Sequence, residues 1–231
     1  MKKKTILIFG LLFLVMAAGV VTAQVTRPEN LKFPPLQFEP PQPSSFRMMM
    51  SNGLRGYIQE DKSLPIVNIT AMINTGSLYA PKDKAGLGSV LSECLIKGGT
   101  KTRTGSAIEE RLDFLGGTIN FSVGERTATL SMSILSKDLD EGLDIFFDLL
   151  MNPEFREDSL KLAKGKIIEQ MRGANDNPSL VLSREFEKVL YGDCPLTYQA
   201  TKATVESINQ ADLKAFHKKY FFPKNIILAG A

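Results

Sequence analysis

Hydrophobic and polar positions change their spacing along this chain, and each change marks an element. Phe46, Met48 and Met50 alternate with polar neighbours, Asn52-Gly53 supplies a type I′ turn, and residues 54–60 return. A hairpin follows, with the Met48-Met49-Met50 run read as core packing rather than as a soft binding surface. Val67, Ile69, Ala71 and Ile73 share one face of a third strand over 65–74. Leu87, Val90, Leu91, Cys94 and Leu95 then recur at helical spacing, and Gly98-Gly99 stands where a left-handed C-terminal cap wants glycine. Thr104 or Ser106 can cap a second helix lined by Ile108, Leu112 and Leu115 and stopped at Gly116-Gly117.

The period returns to two at Ile119, Phe121 and Val123. After a turn at Gly124-Glu125 it continues through Ala128, Leu130, Met132 and Ile134, while Thr127, Thr129, Ser131 and Ser133 face outward. That pattern predicts an antiparallel pair with one covered face. Helical stripes follow at Leu139, Leu143, Phe146, Phe147 and Leu150; at Leu160, Ile167, Ile168 and Met171; at Leu182, Phe186, Val189 and Leu190; and at Leu213, Phe216 and Tyr220. Residues 225–231 read as a strand. The order β-β-β-α-α-β-β-α-α-α-α-β predicts an α+β domain, a mainly antiparallel sheet of about six strands with helices packed on one face. An apolar strand without a polar tail predicts that more chain follows.

Residues 1–23 read as a secretory signal peptide. Lys2, Lys3 and Lys4 precede an apolar run over 6–21, and Val21-Thr22-Ala23 offers small residues for cleavage. An uncleaved anchor is the competing reading, against which the run is short. No lipidation cysteine follows Ala23, so the expectation is export, to a bacterial periplasm, with no membrane attachment after cleavage. Residues 24–45 form a proline-rich extended leader, either strapped across the domain by Phe33, Leu36 and Phe38 or a flexible tether. Residues 46–231 form the folded domain.

Composition narrows the chemistry. The 231 residues carry a net charge of +3, part of it from the leading lysines, and no basic stretch of the kind a nucleic-acid binder needs. A single histidine, His217, and two cysteines cannot assemble most protein zinc sites. His217 sits in a predicted helix between Phe216 and Lys218-Lys219 and reads as a surface or boundary residue, not as the base of a serine triad. Cys94 lies on the apolar stripe and Cys194 in a loop, so free thiols are expected rather than a disulfide. Glu109 and Glu110 point about 100° apart on their helix and read as a solvated face. The glycine pairs read as helix stops, not phosphate loops.

Opposite the stripe of the first long helix, Ser89, Ser92 and Glu93 fall at i, i+3 and i+4 and share one patch. An inverted zinc-peptidase helix presents His-x-x-Glu-His with that geometry. Here the three positions hold Ser, Ser and Glu.

The segments SNGLRGYIQED with LPIVNITAMINTGS, GLGSVLSECLIKGGTKTRT, LDFLGGTIN, KIIEQMRGANDNP and ADLKAFHKKYFFPKNIILAGA, in this order and spacing, resemble the amino-terminal domain of the M16 (insulinase, pitrilysin, mitochondrial processing peptidase) zinc-peptidase family over 46–231. The resemblance implies the α+β fold above, followed by a second, similar domain. It places the two histidine positions of active members on Ser89 and Glu93, the general-base glutamate on Ser92, and the distant glutamate ligand on Gln170, or on Glu169 in an ungapped reading. Serine is a poor zinc ligand and a neutral amide a weak one, and Ser92 cannot act as the base. The expectation is therefore no catalytic residue and no metal or other cofactor in this chain, with zinc held only by an active partner. Zinc-less members of the family commonly pair with a zinc-bearing paralogue. This chain is expected to form such a heterodimer and to help enclose peptide substrates. The substrate-pairing strand of active members corresponds to 118–123, where the family's Asn-Ala-x-Thr becomes Asn120-Phe121-Ser122-Val123. Two alternatives remain: a stand-alone peptide-binding or scaffold module, and a zinc-dependent endopeptidase with an irregular metal site at Glu93.

Overall fold

Six strands build the platform that positions everything else. They are β1 (Arg47–Met49), β2 (Arg55–Ile58), β3 (Ile66–Ile73), β4 (Thr118–Val123), β5 (Ala128–Leu135) and β6 (Ile226–Gly230). The structure, a computed structural model, describes Pro40 and residues 42–231. The expected signal peptide and nearly all of the leader lie outside the described residues. The strands form one sheet in the order β1-β2-β6-β3-β5-β4. Every neighbouring pair is antiparallel except β2 with β6, whose parallel pairing is allowed by the long connection between them, which holds β3, β4, β5 and the helices.

Register lines up the apolar positions. Ala71 of β3 lies opposite Leu130 of β5 on one side and Leu228 of β6 on the other, and Ile73 lies opposite Ala128 and Ile226. All six are buried. Residues on the alternate face, such as Asn68, Thr70, Asn120 and Ser131, are not. The sheet therefore has one covered face, as the alternation predicts.

The helices are α1 (Leu87–Lys97), α2 (Gly105–Leu115), α3 (Leu139–Met151), α4 (Glu157–Asn175), α5 (Pro178–Tyr191), α6 (Lys202–Ser207) and α7 (Gln210–Tyr220). Helix α1 lies against β4 and α3 against β5. The core cluster joins their stripes to the covered sheet face: Val90, Leu91, Cys94 and Leu95 from α1, Ile145, Phe146 and Leu149 from α3, Leu160 and Ile167 from α4. Thr104 caps α2 by accepting a hydrogen bond from the Ala107 amide, and left-handed Gly116 ends it.

Several expectations are corrected. The hairpin turn is not type I′, because only Gly53 has positive φ (86°) while Asn52 does not. Gly53 N–H donates to the Met50 carbonyl and Met50 N–H to the Leu54 carbonyl, a three-residue loop in which glycine takes the left-handed place. Met48, Met49 and Met50 are 48%, 58% and 42% exposed, not core. β1 is an edge strand, and the core helices lie over the other end of the sheet. The stripe of α5 is correct as a helix but buries nothing: Val189 is 86% exposed and Leu182 70%. Its half-buried residues are Val181 and Arg184, on another face. The short helix α6, capped by Thr201, has too little periodicity to be read from sequence. The end of the leader is a 3₁₀ turn, Pro43–Phe46, not extended chain.

Candidate functional site

Helix α1 presents Ser89, Ser92 and Glu93 on the side away from its buried stripe, as the spacing requires. Ser89 is exposed, while Ser92 and Glu93 are half-buried. At Gly88 the helix comes close to β4 and to the loop after β3: a Cβ there would stand 3.1 Å from Val123 Cγ1 and 3.3 Å from Ser77 Cα. From this position Ser92 Oγ donates a 3.4 Å hydrogen bond to the Phe121 carbonyl, joining α1 to β4.

Helix α4 runs against α1 and carries the other half of the patch. Its N-terminus is fixed to the C-terminus of α1. The Arg156 guanidinium donates to the carbonyls of Gly98, Thr100 (2.7 Å) and Arg103, and Ser159 Oγ donates to the Lys97 carbonyl at 2.9 Å. The bonds to Lys97 and Gly98 satisfy carbonyls that the end of α1 leaves unpaired, and the guanidinium sets a positive charge where the helix dipole is negative. Gly98-Gly99 is thus more than a stop. Gly99 takes the expected left-handed conformation (φ 66°), and Gly98 lets the chain at Phe155 pass close by.

With α1 and α4 held together, Lys166 Nζ lies 2.7 Å from each carboxylate oxygen of Glu93. The glutamate side chain is 24% exposed and the lysine 49%. Gln170 follows Lys166 by one turn on the same face of α4 and is exposed. Glu169, the alternative position, is exposed and ion-paired with Arg172 at 3.1 Å. The fold therefore keeps Ser89, Ser92 and Glu93 on one side of α1, where Ser92 meets β4 and Glu93 meets α4, while Glu169 pairs within α4. Sequence reasoning missed Lys166. The available signal was its place one turn before Gln170.

The donor set can be tested against a zinc ion on this geometry. Catalytic zinc needs three protein ligands and an open position. The patch offers two hydroxyls, one amide, and one carboxylate already held by an ammonium. Among the described residues no group of three or more His, Cys, Asp and Glu side chains is gathered on one point. These residues do not fit the metal.

His217 is elsewhere. It stacks on Phe221 (4.3 Å between ring centroids) and meets Phe155 edge-on. Its Nε2 lies 2.9 Å from the Leu150 carbonyl; since a carbonyl only accepts, Nε2 carries the proton. Burial pushes its pKa below the usual 6.5, against a smaller upward pull from that hydrogen bond. It is a boundary histidine, as expected, and no serine faces it among its hydrogen-bond partners. Cys94 and Cys194 are both free thiols. Burial, with the charges of Asp158 and Glu157, pushes the Cys94 thiol up to about 11.

β4 forms one edge of the sheet. Asn120 and Ser122 are exposed on it, whereas Phe121 and Val123 are half-buried on the core side. The Phe121 ring lies 6.3 Å from that of Phe221. No helix among the described residues is long and apolar enough to cross a membrane.

A model of the insulinase (peptidase family M16) family matches residues 57–204. The chain is 25% identical over 187 residues to the uncharacterised zinc protease YmxG of Bacillus subtilis, covering 80% of this chain and 46% of that protein. Among solved structures it resembles a peptidase M16 inactive domain from Pseudomonas fluorescens, with a TM-score of 0.71 and 24% identity over 80% of this chain and 45% of that one. It also resembles the periplasmic protease PqqL of Escherichia coli, with a TM-score of 0.70 and 21% identity over 80% of this chain and 21% of that one. The chain therefore spans less than half the length of these relatives.

Proposed function

The chain belongs to the insulinase (M16) peptidase family, and from that premise we propose that it is a non-catalytic member acting as partner subunit of a zinc-bearing M16 relative. Residues 46–231 act in this reading as the amino-terminal domain, exported by residues 1–23 through to the periplasm. The similarity to a periplasmic protease supports the compartment, and the similarity to an inactive M16 domain supports a member without chemistry.

One observation carries the reading. Glu93, the single good donor on α1, is ion-paired with Lys166 through both oxygens. Ser92, in the position of the base, has no proton affinity to offer a water and donates its own hydrogen to Phe121. The helix pair that frames a peptidase cleft is kept, and the groups that activate water are replaced. Such a chain contributes a wall to a peptide chamber while its partner supplies zinc. Mixing the full-length protein with a zinc-bearing relative from the same cell should give a complex with raised peptidase activity. No complex and no gain would remove the proposal.

A stand-alone peptide-binding module is the second reading, favoured by the open β4 edge with Asn120 and Ser122 exposed. It predicts that the isolated chain binds extended peptides with no partner present. Stoichiometric zinc in the purified full-length protein would instead revive a peptidase with an irregular site.

A further inference from the structure

We propose that Lys166 is a built-in cation that excludes zinc from the Glu93 patch of α1. The proposal rests on the non-catalytic reading and deepens it: the metal is shut out by a charge as well as by missing ligands.

Both oxygens of Glu93 face the Lys166 ammonium at 2.7 Å, so the carboxylate that a metal would need already has a cation. Gln170 stands one turn from Lys166 on the same face of α4 and is exposed. A metal shared between positions 93 and 170 would therefore sit beside the ammonium. Arg156 and Ser159 tie the start of α4 to the end of α1 and the loop after it, which favours the same approach of the two helices around Lys166. Restoring the ligands by substitution is then insufficient. Glu93→His in particular removes the counter-charge that Lys166 has now, so a carboxylate introduced at position 170, one turn away, would be drawn to the ammonium in competition with the metal. Even at the dielectric of water, a unit and a double charge about 6 Å apart repel strongly enough to weaken binding about tenfold.

The test compares two variants of the full chain. One carries Ser89→His, Ser92→Glu, Glu93→His and Gln170→Glu with Lys166 retained; the other adds Lys166→Gln. Zinc affinity is read by competition with a chromophoric chelator, alongside the rise in melting temperature on adding zinc. The variant lacking Lys166 should bind at least about tenfold more tightly, with the gap narrowing as salt is raised. Equal affinity overturns the proposal. Should these variants not fold, the milder pair Gln170→Glu, with and without Lys166→Gln, changes exposed positions only, and equal zinc affinity there overturns it too. The outcome is independent of the subunit reading, which stands or falls on complex formation with an active relative.

Discussion

Gly98 at the end of α1 and Phe155 ahead of α4 touch through their backbones: a Cβ on Gly98 would stand 2.9 Å from Phe155 Cα. Phe155 is itself fully buried and left-handed (φ 52°), the one described non-glycine residue with positive φ. Beside this contact Arg156 donates to the Gly98 and Thr100 carbonyls, which ties the start of α4, the helix that carries Lys166, to the end of α1.

Gly98→Ala should therefore destabilise the protein by about 1–3 kcal/mol, since the neighbour is backbone and cannot yield cheaply. At this chain length the melting temperature should drop about 2–4 °C per kcal/mol. Gly165→Ala is the opposite case. Nothing lies within 4 Å of its Cβ position in mid-α4, so the substitution should stabilise by about 0.5–1 kcal/mol. Thermal melts of both variants check the pair; a neutral Gly98→Ala would show that the contact is slack.

Acid should weaken the fold in two stages. His217 is held neutral in the folded state, below its ordinary 6.5, so the unfolded chain binds the extra proton first. Its contribution is present above 6.5 and lost as pH falls below that value, at no more than about 1.4 kcal/mol per pH unit. Burial works to raise Asp148, but hydrogen bonds from Thr100, Thr102 and Asn152 and the charge of Arg103 prevail and hold it below 3.8. That contribution is present above 3.8 and disappears as pH falls through the lower folded value. Denaturant midpoints between pH 8 and pH 5 should decline in the native chain and flatten in His217→Gln.

The two thiols should differ in reactivity. Cys94 is fully buried with its pKa near 11, so almost no thiolate forms at neutral pH, whereas Cys194 is half-buried in a loop. A thiol reagent at pH 7.5 should label one site quickly in the folded protein and two after denaturation. Fast labelling of both, or a disulfide on a non-reducing gel, would contradict the core placement of Cys94.

Zinc should leave the native chain's stability unchanged. A metal bound to the folded state alone at about 100 times its Kd would add about 2.7 kcal/mol. Melting curves with excess zinc and with chelator are expected to superimpose, and an upward shift with zinc would refute the non-fit at Glu93.

Much of the sheet was legible because strand and helix periods are local. The alternation at Ala128, Leu130, Met132 and Ile134 needed no partner to be read, and all four are buried. The same local rule misled at Met48 and at Leu182, where alternation or helical spacing says which residues share a face but not whether anything covers it. The candidate site was half legible. The types at Ser89, Ser92 and Glu93 and their common patch follow from helix geometry, while the ammonium that answers Glu93 comes from 73 residues further along.

The order of the strands and longer helices and the lack of imidazoles on the α1 patch came from the sequence alone, because residue identity and period are properties of short stretches. Only the tertiary structure decided that Phe155 and Arg156 clasp Gly98, that Lys166 meets Glu93, and that the α5 stripe stays uncovered. Those outcomes depend on which surfaces the chain brings together, and an apolar or charged residue carries no mark of the partner it will find.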